Sequence, residues 1–461
     1  MLAPGAPKGH LPPVQSSRPP TRLECFLRAH RPCLTPAEVR AAYGIDDLLR
    51  RGITGRGRTI GIVVSFGSPT LRADLHAFDR AFGLPDPHLE ILAPLGTRHP
   101  RNSGWVGETT LDVEWAHAIA PGARIVVLES PVDETEGVQG LPEFLRLERY
   151  ALRHHLVDVF SQSWAATEDT LFDARGRAMV AQFHRFYADA AAQGVTVVAA
   201  SGDFGAAGPE LSLKHMFPYP VVGYPASDPL VLAVGGTRLE VDLDGRVHGE
   251  TTWTGSGGGV SKLFPEPAYQ RGLPAVTQRL LRDHRGLPDV AYNAALESPI
   301  LVYQQGRWTL VAGTSAAAPQ WAGLVALADS LAGHDLGAIN AALYRLAASP
   351  RYRADLRDIT TGGIVGPRRG SSDPGGIVFR AGPGWDAATG LGSPRAARLI
   401  PDLVHIVGDR RQAAGSYAGC VIIGTDEPSV RWPVVALRRL IRHRERSFCL
   451  PPVACRLPPA A

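Results

Sequence analysis

The sequence predicts an α/β fold: a central, mostly parallel sheet with helices on both faces. Three observations carry that reading. Short apolar runs such as residues 59–64 (TIGIVV) and 195–200 (VTVVAA) show no apolar–polar alternation, as expected of strands covered on both sides. Longer helix-patterned segments separate these runs. The 50 Gly and 39 Pro supply the tight connections that such an alternation needs.

The elements follow in order. Residues 34–43 (LTPAEVRAAY) read as a helix, with Thr35 as cap, Pro36 in the first turn and Glu38 adding first-turn charge. Residues 59–64 are a strand and 71–82 a helix. Residues 107–120 form a helix closed by Pro121-Gly122, followed by a strand at 123–128. A helix at 141–155 precedes a strand at 157–161. A helix at 174–192, stopped by Gly194, precedes a strand at 195–200. From 230 to 253 the pattern changes to short strands about a Leu243-Asp244-Gly245 turn. Residues 301–310 read as a hairpin about Gln305-Gly306. Residues 315–331 are a strongly apolar helix.

Composition narrows the function. A length of 461 residues suggests about three domains as a prior. The net charge of +4 disfavours a broad nucleic-acid surface. No run approaches the roughly 18 apolar residues of a spanning helix. The five cysteines, at 25, 33, 420, 449 and 455, leave residues 34–419 with none. That excludes thiol catalysis, a thiolate metal cluster and a disulfide scaffold from the body. The first 20 residues are rich in Pro and Gly, so residues 1–33 are expected to be a disordered leader, without the apolar stretch of a secretory signal. Residues 34–405 form the body. Residues 406–461, dense in Arg and then Pro, are expected to be an appendage, either an amphipathic surface helix or a solvated tail.

Four constellations can carry chemistry. Ser315, in GTSAAAP, opens an apolar helix where free N–H groups favour developing negative charge; the plain alternative is a helix cap. None of the 15 histidines stands in a setting that would make it the base of an ordinary Ser-His-Asp triad. Glu108 and Asp112, in GETTLDVEWAHAIAPGA, lie four residues apart and so about 40° apart on one helix face. Two such carboxyls can share a proton and act as a base in acid, or simply form a solvated face. Asp203, in ASGDFGA, follows a strand at the carboxyl end, where ligands bind in parallel sheets. Shielded from water it would be a neutral hydrogen-bond donor; otherwise it is a turn residue. Asp358 and Asp386, the latter in GPGWD, offer hard oxygen ligands of the kind calcium prefers, or else belong to a Gly/Pro turn. The run Gly255-Ser256-Gly257-Gly258-Gly259 lacks the ending of a phosphate loop and reads as close backbone packing or a substrate wall.

Taken together, GETTLDVEWAHAIAPGA, SQSWAATED, ASGDFGA, GSGGGVS, RGLPDVAYNA, GTSAAAP, and RDIT with AGPGWDAATGLGSP resemble, in this order, the sedolisin family of serine-carboxyl peptidases, of the kumamolisin type. The resemblance covers residues 34 to 403. It implies a subtilisin-like fold, peptide or protein substrates, a monomer, an extracellular location and one bound calcium ion. It assigns Ser315 as nucleophile, Glu108 as base, Asp112 as the carboxyl that orients it and Asp203 as oxyanion-hole acid. Ser163 and Trp164 would line the substrate cleft. Calcium would take side-chain oxygens from Asp358 and Asp386 and carbonyls from Ile359, Gly382 and Gly384. Three positions depart from the family pattern: Ser65 replaces a glutamate, Ala312 a serine and Ala165 a glycine. The family is also made with a prodomain and usually a signal peptide, whereas about 33 residues precede the matched segment here. Two other readings are a catalytically silent peptide-binding relative and a subtilisin-type protease with a relocated histidine, for which His117 sits on the wrong side of the helix.

Overall fold

A computed structural model describes residues 18–98, 104–242, 244–367 and 374–418, with side chains described to residue 408. In chain order the main sheet contains β1 (Thr59–Ser65), β2 (His88–Leu92), β3 (Arg124–Ser130), β4 (Val159–Gln162), β5 (Thr196–Ala200), β6 (Leu232–Val241), β7 (Val247–Thr252) and β8 (Val290–Asn293). Across the sheet they run β8-β6-β5-β4-β1-β3-β2, all parallel, with β7 returning antiparallel along the outer half of β6. Every residue of β4 and β5 is buried, as the absence of alternation required. The expected mostly parallel sheet is therefore present. A separate hairpin, β9 (Ile300–Gln304) and β10 (Arg307–Val311), turns at Gln305 and Gly306, both at positive φ.

The helices include α1 (Arg22–Ala29), α2 (Pro36–Tyr43), α3 (Leu71–Phe82), α4 (Trp105–Ile119), α5 (Leu141–Arg153), α6 (Ala174–Ala192), α7 (Thr314–Ala332) and α8 (Ala396–Ala418). Helices α4 and α7 pack on one another and on the sheet; α5 and α6 do the same as a second pair. The α4–α7 crossing is close because α7 is lined with small residues. A Cβ on Gly323 would come within 2.9 Å of Ile119. This crossing brings the start of α7 to the first turns of α4.

The expected leader over residues 1–33 needs correction. Thr21 and Glu24 form a reciprocal capping box that starts α1, and a Cys25–Cys33 disulfide closes its far side. Both cysteines are buried. A covalent link across eight residues restricts the unfolded chain enough to hold a short helix that propensity alone would not. Leu34 then bridges to Ile300 at the hairpin. Residues 1–17 lie outside the described residues. The body's expected end at 405 falls within α8. The Arg-rich stretch 431–446, and with it either form of appendage, lies outside the described residues. The compact unit itself ends at Arg411.

Several buried carboxyls do not line the cleft described below. Burial pushes Asp79, Glu148 and Asp329 each up to about 8. Each binds its proton more tightly folded than unfolded. Their stabilisation is thus complete below about pH 4 and is lost as pH rises through about 8. Each group adds a slope of about 1.4 kcal/mol per pH unit across that window. Scanning calorimetry should therefore give a lower thermal midpoint at about pH 8.5 than at about pH 5, and Glu148→Gln should flatten the dependence. A midpoint that rises over that range would contradict the assignment.

Candidate active site

The site lies at the carboxyl ends of the parallel strands, where such sheets open a crevice. Helix α4 carries Glu108 in its first turn and Asp112 one turn later. Asp112 is fully buried, while Glu108 is half-buried and lines the cleft with Ser315. Ser163, just past β4, donates from Oγ to Asp112 Oδ1 at 2.8 Å. Glu108 Oε1 and Asp112 Oδ2 are buried without a hydrogen-bond partner. Burial pushes Glu108 up to about 7, against the Ser315 hydroxyl, which pulls it down. Burial, and then the neighbouring Glu108, push Asp112 well above the usual carboxylate range. Both carboxyls are thus biased toward their neutral forms, and Glu108 faces the serine.

Asp203 comes from the turn after β5. Its Oδ1 accepts from Thr314 N at 2.7 Å and from Thr314 Oγ1 at 2.8 Å. Thr314 Oγ1 also accepts from Gly202 N at 3.0 Å, which ties the turn to the start of α7. Burial raises the Asp203 carboxyl, and the two Thr314 bonds partly offset the rise. Oδ1 is thus occupied, which leaves Oδ2, beside Gly313, to carry a proton. Gly313 permits this approach: it has φ +133°, and a Cβ there would meet Asp203 Oδ2 at 2.7 Å.

The glycine run is close backbone packing. Ser201 Oγ donates to Gly257 O at 2.7 Å, and a Cβ on Gly257 would strike Ser201 O at 2.1 Å. Trp164 lies on the cleft floor, its ring packed against Phe144 and Phe183. Ser163 does more than line the cleft, since its hydroxyl serves Asp112. Ser65 is buried, and its Oγ accepts from Glu134 N at 3.0 Å. Sequence reasoning did not single out Thr314 or Gly313. The only signal for either was its place beside Ser315 in GTSAAAP.

Of the residues expected at a calcium site, Asp358 and Asp386 meet at one turn. Asp358 accepts Gly384 N on both oxygens at 3.1 Å, and Asp386 Oδ2 accepts Gly382 N at 2.9 Å. The two carboxylates thus grip the same turn, and both act on the Tyr352 hydroxyl. Carboxylate oxygens are donors of the kind a hard cation takes, and here backbone N–H groups of the turn occupy them. No group of three or more His, Cys, Asp or Glu suited to a metal occurs among the described residues.

Comparison with known proteins gives the family. A family model described as the subtilase family matches residues 101–339, which contain Glu108, Asp112, Asp203 and Ser315. This chain is a sedolisin-like member of the subtilase family. Kumamolisin from Bacillus sp. (strain MN-32) is 35% identical over 384 residues, covering 80% of this chain and 63% of the relative. Human tripeptidyl-peptidase 1 is 30% identical over 349 residues, covering 72% of this chain and 58% of the relative. The structure of Pseudomonas sedolisin, a serine-carboxyl proteinase, complexed with two molecules of pseudo-iodotyrostatin, superposes with a TM-score of 0.67 at 28% identity. It covers 80% of this chain and 98% of that one. The chain spans about three fifths of the length of the curated relatives it matches. The sedolisin-like fold is thus the subtilisin-like one that the motifs implied.

The Gly313 geometry makes a direct prediction. Gly313→Ala forces a side chain into a left-handed conformation and against Asp203. Denaturant unfolding should show a loss of about 1–3 kcal/mol. Gly376→Ala, which meets nothing within 4 Å, should stay within about 0.5 kcal/mol of the parent. Equal effects of the two substitutions would show that the turn tolerates a side chain.

Proposed function

We propose that this sedolisin-like chain is an acid-acting serine peptidase that hydrolyses peptide bonds through an acyl-enzyme on Ser315. The observation that carries this reading is the buried Glu108–Asp112 pair, directed at a serine that opens a helix across from Asp203. In the first step Ser315 Oγ attacks the peptide carbonyl and its proton passes to Glu108. Asp112, oriented by Ser163, shares that proton through the carboxyl pair. Neutral Asp203 donates from Oδ2 to the developing oxyanion. When the tetrahedral intermediate collapses, Glu108 returns the proton to the leaving amine. Water, with its proton taken by Glu108, then releases the acyl group and restores Ser315.

The carboxyls make this chemistry fail as pH rises. As pH rises Asp203 loses the proton it donates, which weakens stabilisation of the oxyanion. Peptide hydrolysis should peak in acid and decline through neutrality; a rate still rising past about pH 8 would contradict the assignment. Ser315→Ala should abolish turnover and aldehyde labelling while leaving the thermal midpoint near that of the parent. Turnover surviving in a folded Ser315→Ala protein would move the nucleophile elsewhere, whereas a wild type that binds peptides without cleaving them would favour the silent-relative reading.

The proposal extends to one calcium ion, held by the carboxylates of Asp358 and Asp386 and the carbonyls of Ile359, Gly382 and Gly384. The ion would supply charge that stabilises the 382–386 turn. A chelator should lower the thermal midpoint by several degrees, and added calcium should restore it. Asp386→Asn should abolish that response; a midpoint indifferent to the chelator would remove the site. The Cys25–Cys33 disulfide supports an oxidising compartment, in keeping with an extracellular location. No helix among the described residues is long and apolar enough to cross a membrane.

A further inference from the structure

The cleft contains a second acidic feature that the chemistry above does not use. The loop after β3 carries Glu134 and Glu136 to the wall of the same cleft. The two differ in their surroundings. Glu136 is saturated: it accepts Thr167 N at 2.7 Å, Thr167 Oγ1 at 3.1 Å and Thr170 Oγ1 at 3.2 Å. It braces the loop against the opposite wall. Glu134 is only 2% exposed, and its Oε1 has no partner. Its backbone is pinned, because its N–H donates to Ser65 Oγ at 3.0 Å and Gly140 packs onto its Cα so closely that a Cβ there would sit at 2.6 Å.

A buried carboxyl oxygen without a donor costs free energy that an apolar side chain would not. The pinned backbone holds the residue at the cleft wall. Burial, then Glu136 and Asp133, push its carboxyl well above the usual range, so it is neutral when nothing faces it. A cationic ligand group would reverse that, supplying both the missing donor and the countercharge. The apolar cleft residues Phe204, Leu213 and Val221 offer a surface for the aliphatic stem of such a group.

We propose that Glu134 is a specificity-determining carboxyl that receives a cationic group of the peptide, a protonated amine or a guanidinium, in the Ser315 cleft. This rests on the peptide-cleft reading of that site. Two sources share this chemistry: a lysine or arginine side chain, and the free α-amine of the peptide.

The test is calorimetric binding to the Ser315→Ala protein, which keeps peptides intact. One arm compares N-acetylated peptides that carry lysine with the same peptides carrying norleucine, position by position. The other compares free-amine peptides with their acetylated forms. In one arm or the other, the cationic member should bind about tenfold more tightly. Adding Glu134→Gln should reduce that ratio to less than about twofold. The arm that responds identifies the source. Equal binding in both arms, or a preference that persists in the double variant, would overturn the proposal. Should Glu134→Gln not fold, Glu134→Asp withdraws the carboxyl by one methylene and should weaken the preference; an unchanged preference there is also a refutation. Cleavage of the norleucine peptides by the wild type tests the peptidase reading separately. A preference that depends on Glu134 without any cleavage would leave the subsite and remove the catalysis.

Discussion

Two carboxyls held one helical turn apart and away from water set the terms for the rest of the molecule. Glu108 and Asp112 each keep an oxygen without a hydrogen-bond partner, a costly arrangement unless protons are shared and the surroundings are rigid. The rigidity comes from the fold. Helix α4 is sealed by α7, and the seal requires residues small enough for Gly323 to lie against Ile119. The same crossing delivers Ser315 to Glu108. The sheet contributes from the other side, since β4 ends just before Ser163 and β5 ends at the Ser201-to-Asp203 turn. The glycines at 257 and 313 then let the backbone close over that turn without steric cost. Opening any of these contacts would admit water, drop the carboxyl pKa values and uncouple the pair.

The protons that serve the site have counterparts elsewhere in the fold. Asp79, Glu148 and Asp329 are buried with raised pKa values for the same reason as Glu108, namely loss of solvent. The sign is the same in each case: the neutral form belongs to the folded state. A chain that placed these carboxyls in its interior for stability and at its cleft for chemistry would be suited to one pH range for both purposes. Stability and proposed activity should therefore fall together as pH rises, through different residues.

The sheet and its helices were legible because burial leaves a direct mark on the sequence. Runs such as VTVVAA are apolar throughout because both faces of β5 are covered. The Glu108–Asp112 spacing was legible as geometry, because a helix places residues four apart on one face. Their burial was not, since the helix is hydrophobic around most of its circumference and no pattern singles out the face that meets α7. The ordered N-terminal segment was missed for a different reason. Local composition reads as loop, and the stabilising element is a bond between Cys25 and Cys33 that spacing alone does not establish. Ser163 was placed in the cleft, but its bond to Asp112 spans 51 residues and depends on strand order. The hold of Thr314 on Asp203 is likewise a product of topology, joining residues 111 apart.

Carboxyls of one chemical kind occupy this cleft in four settings, and hydrogen-bond donors separate their roles. Glu108 and Asp112 have few donors and each other as neighbours, so burial raises both carboxyls. Asp203 has two donors from Thr314 on one oxygen, which fixes its orientation while burial keeps it neutral, leaving the other oxygen to donate. Glu136 has three donors on a single wall segment and serves as a brace. Glu134 has a fixed backbone and an oxygen with no donor, so its missing partner has to arrive from outside the chain. Charge alone would make the five residues equivalent. Their differences come from how many N–H and O–H groups the fold directs at each, which is a property of strand ends, loop lengths and glycine positions.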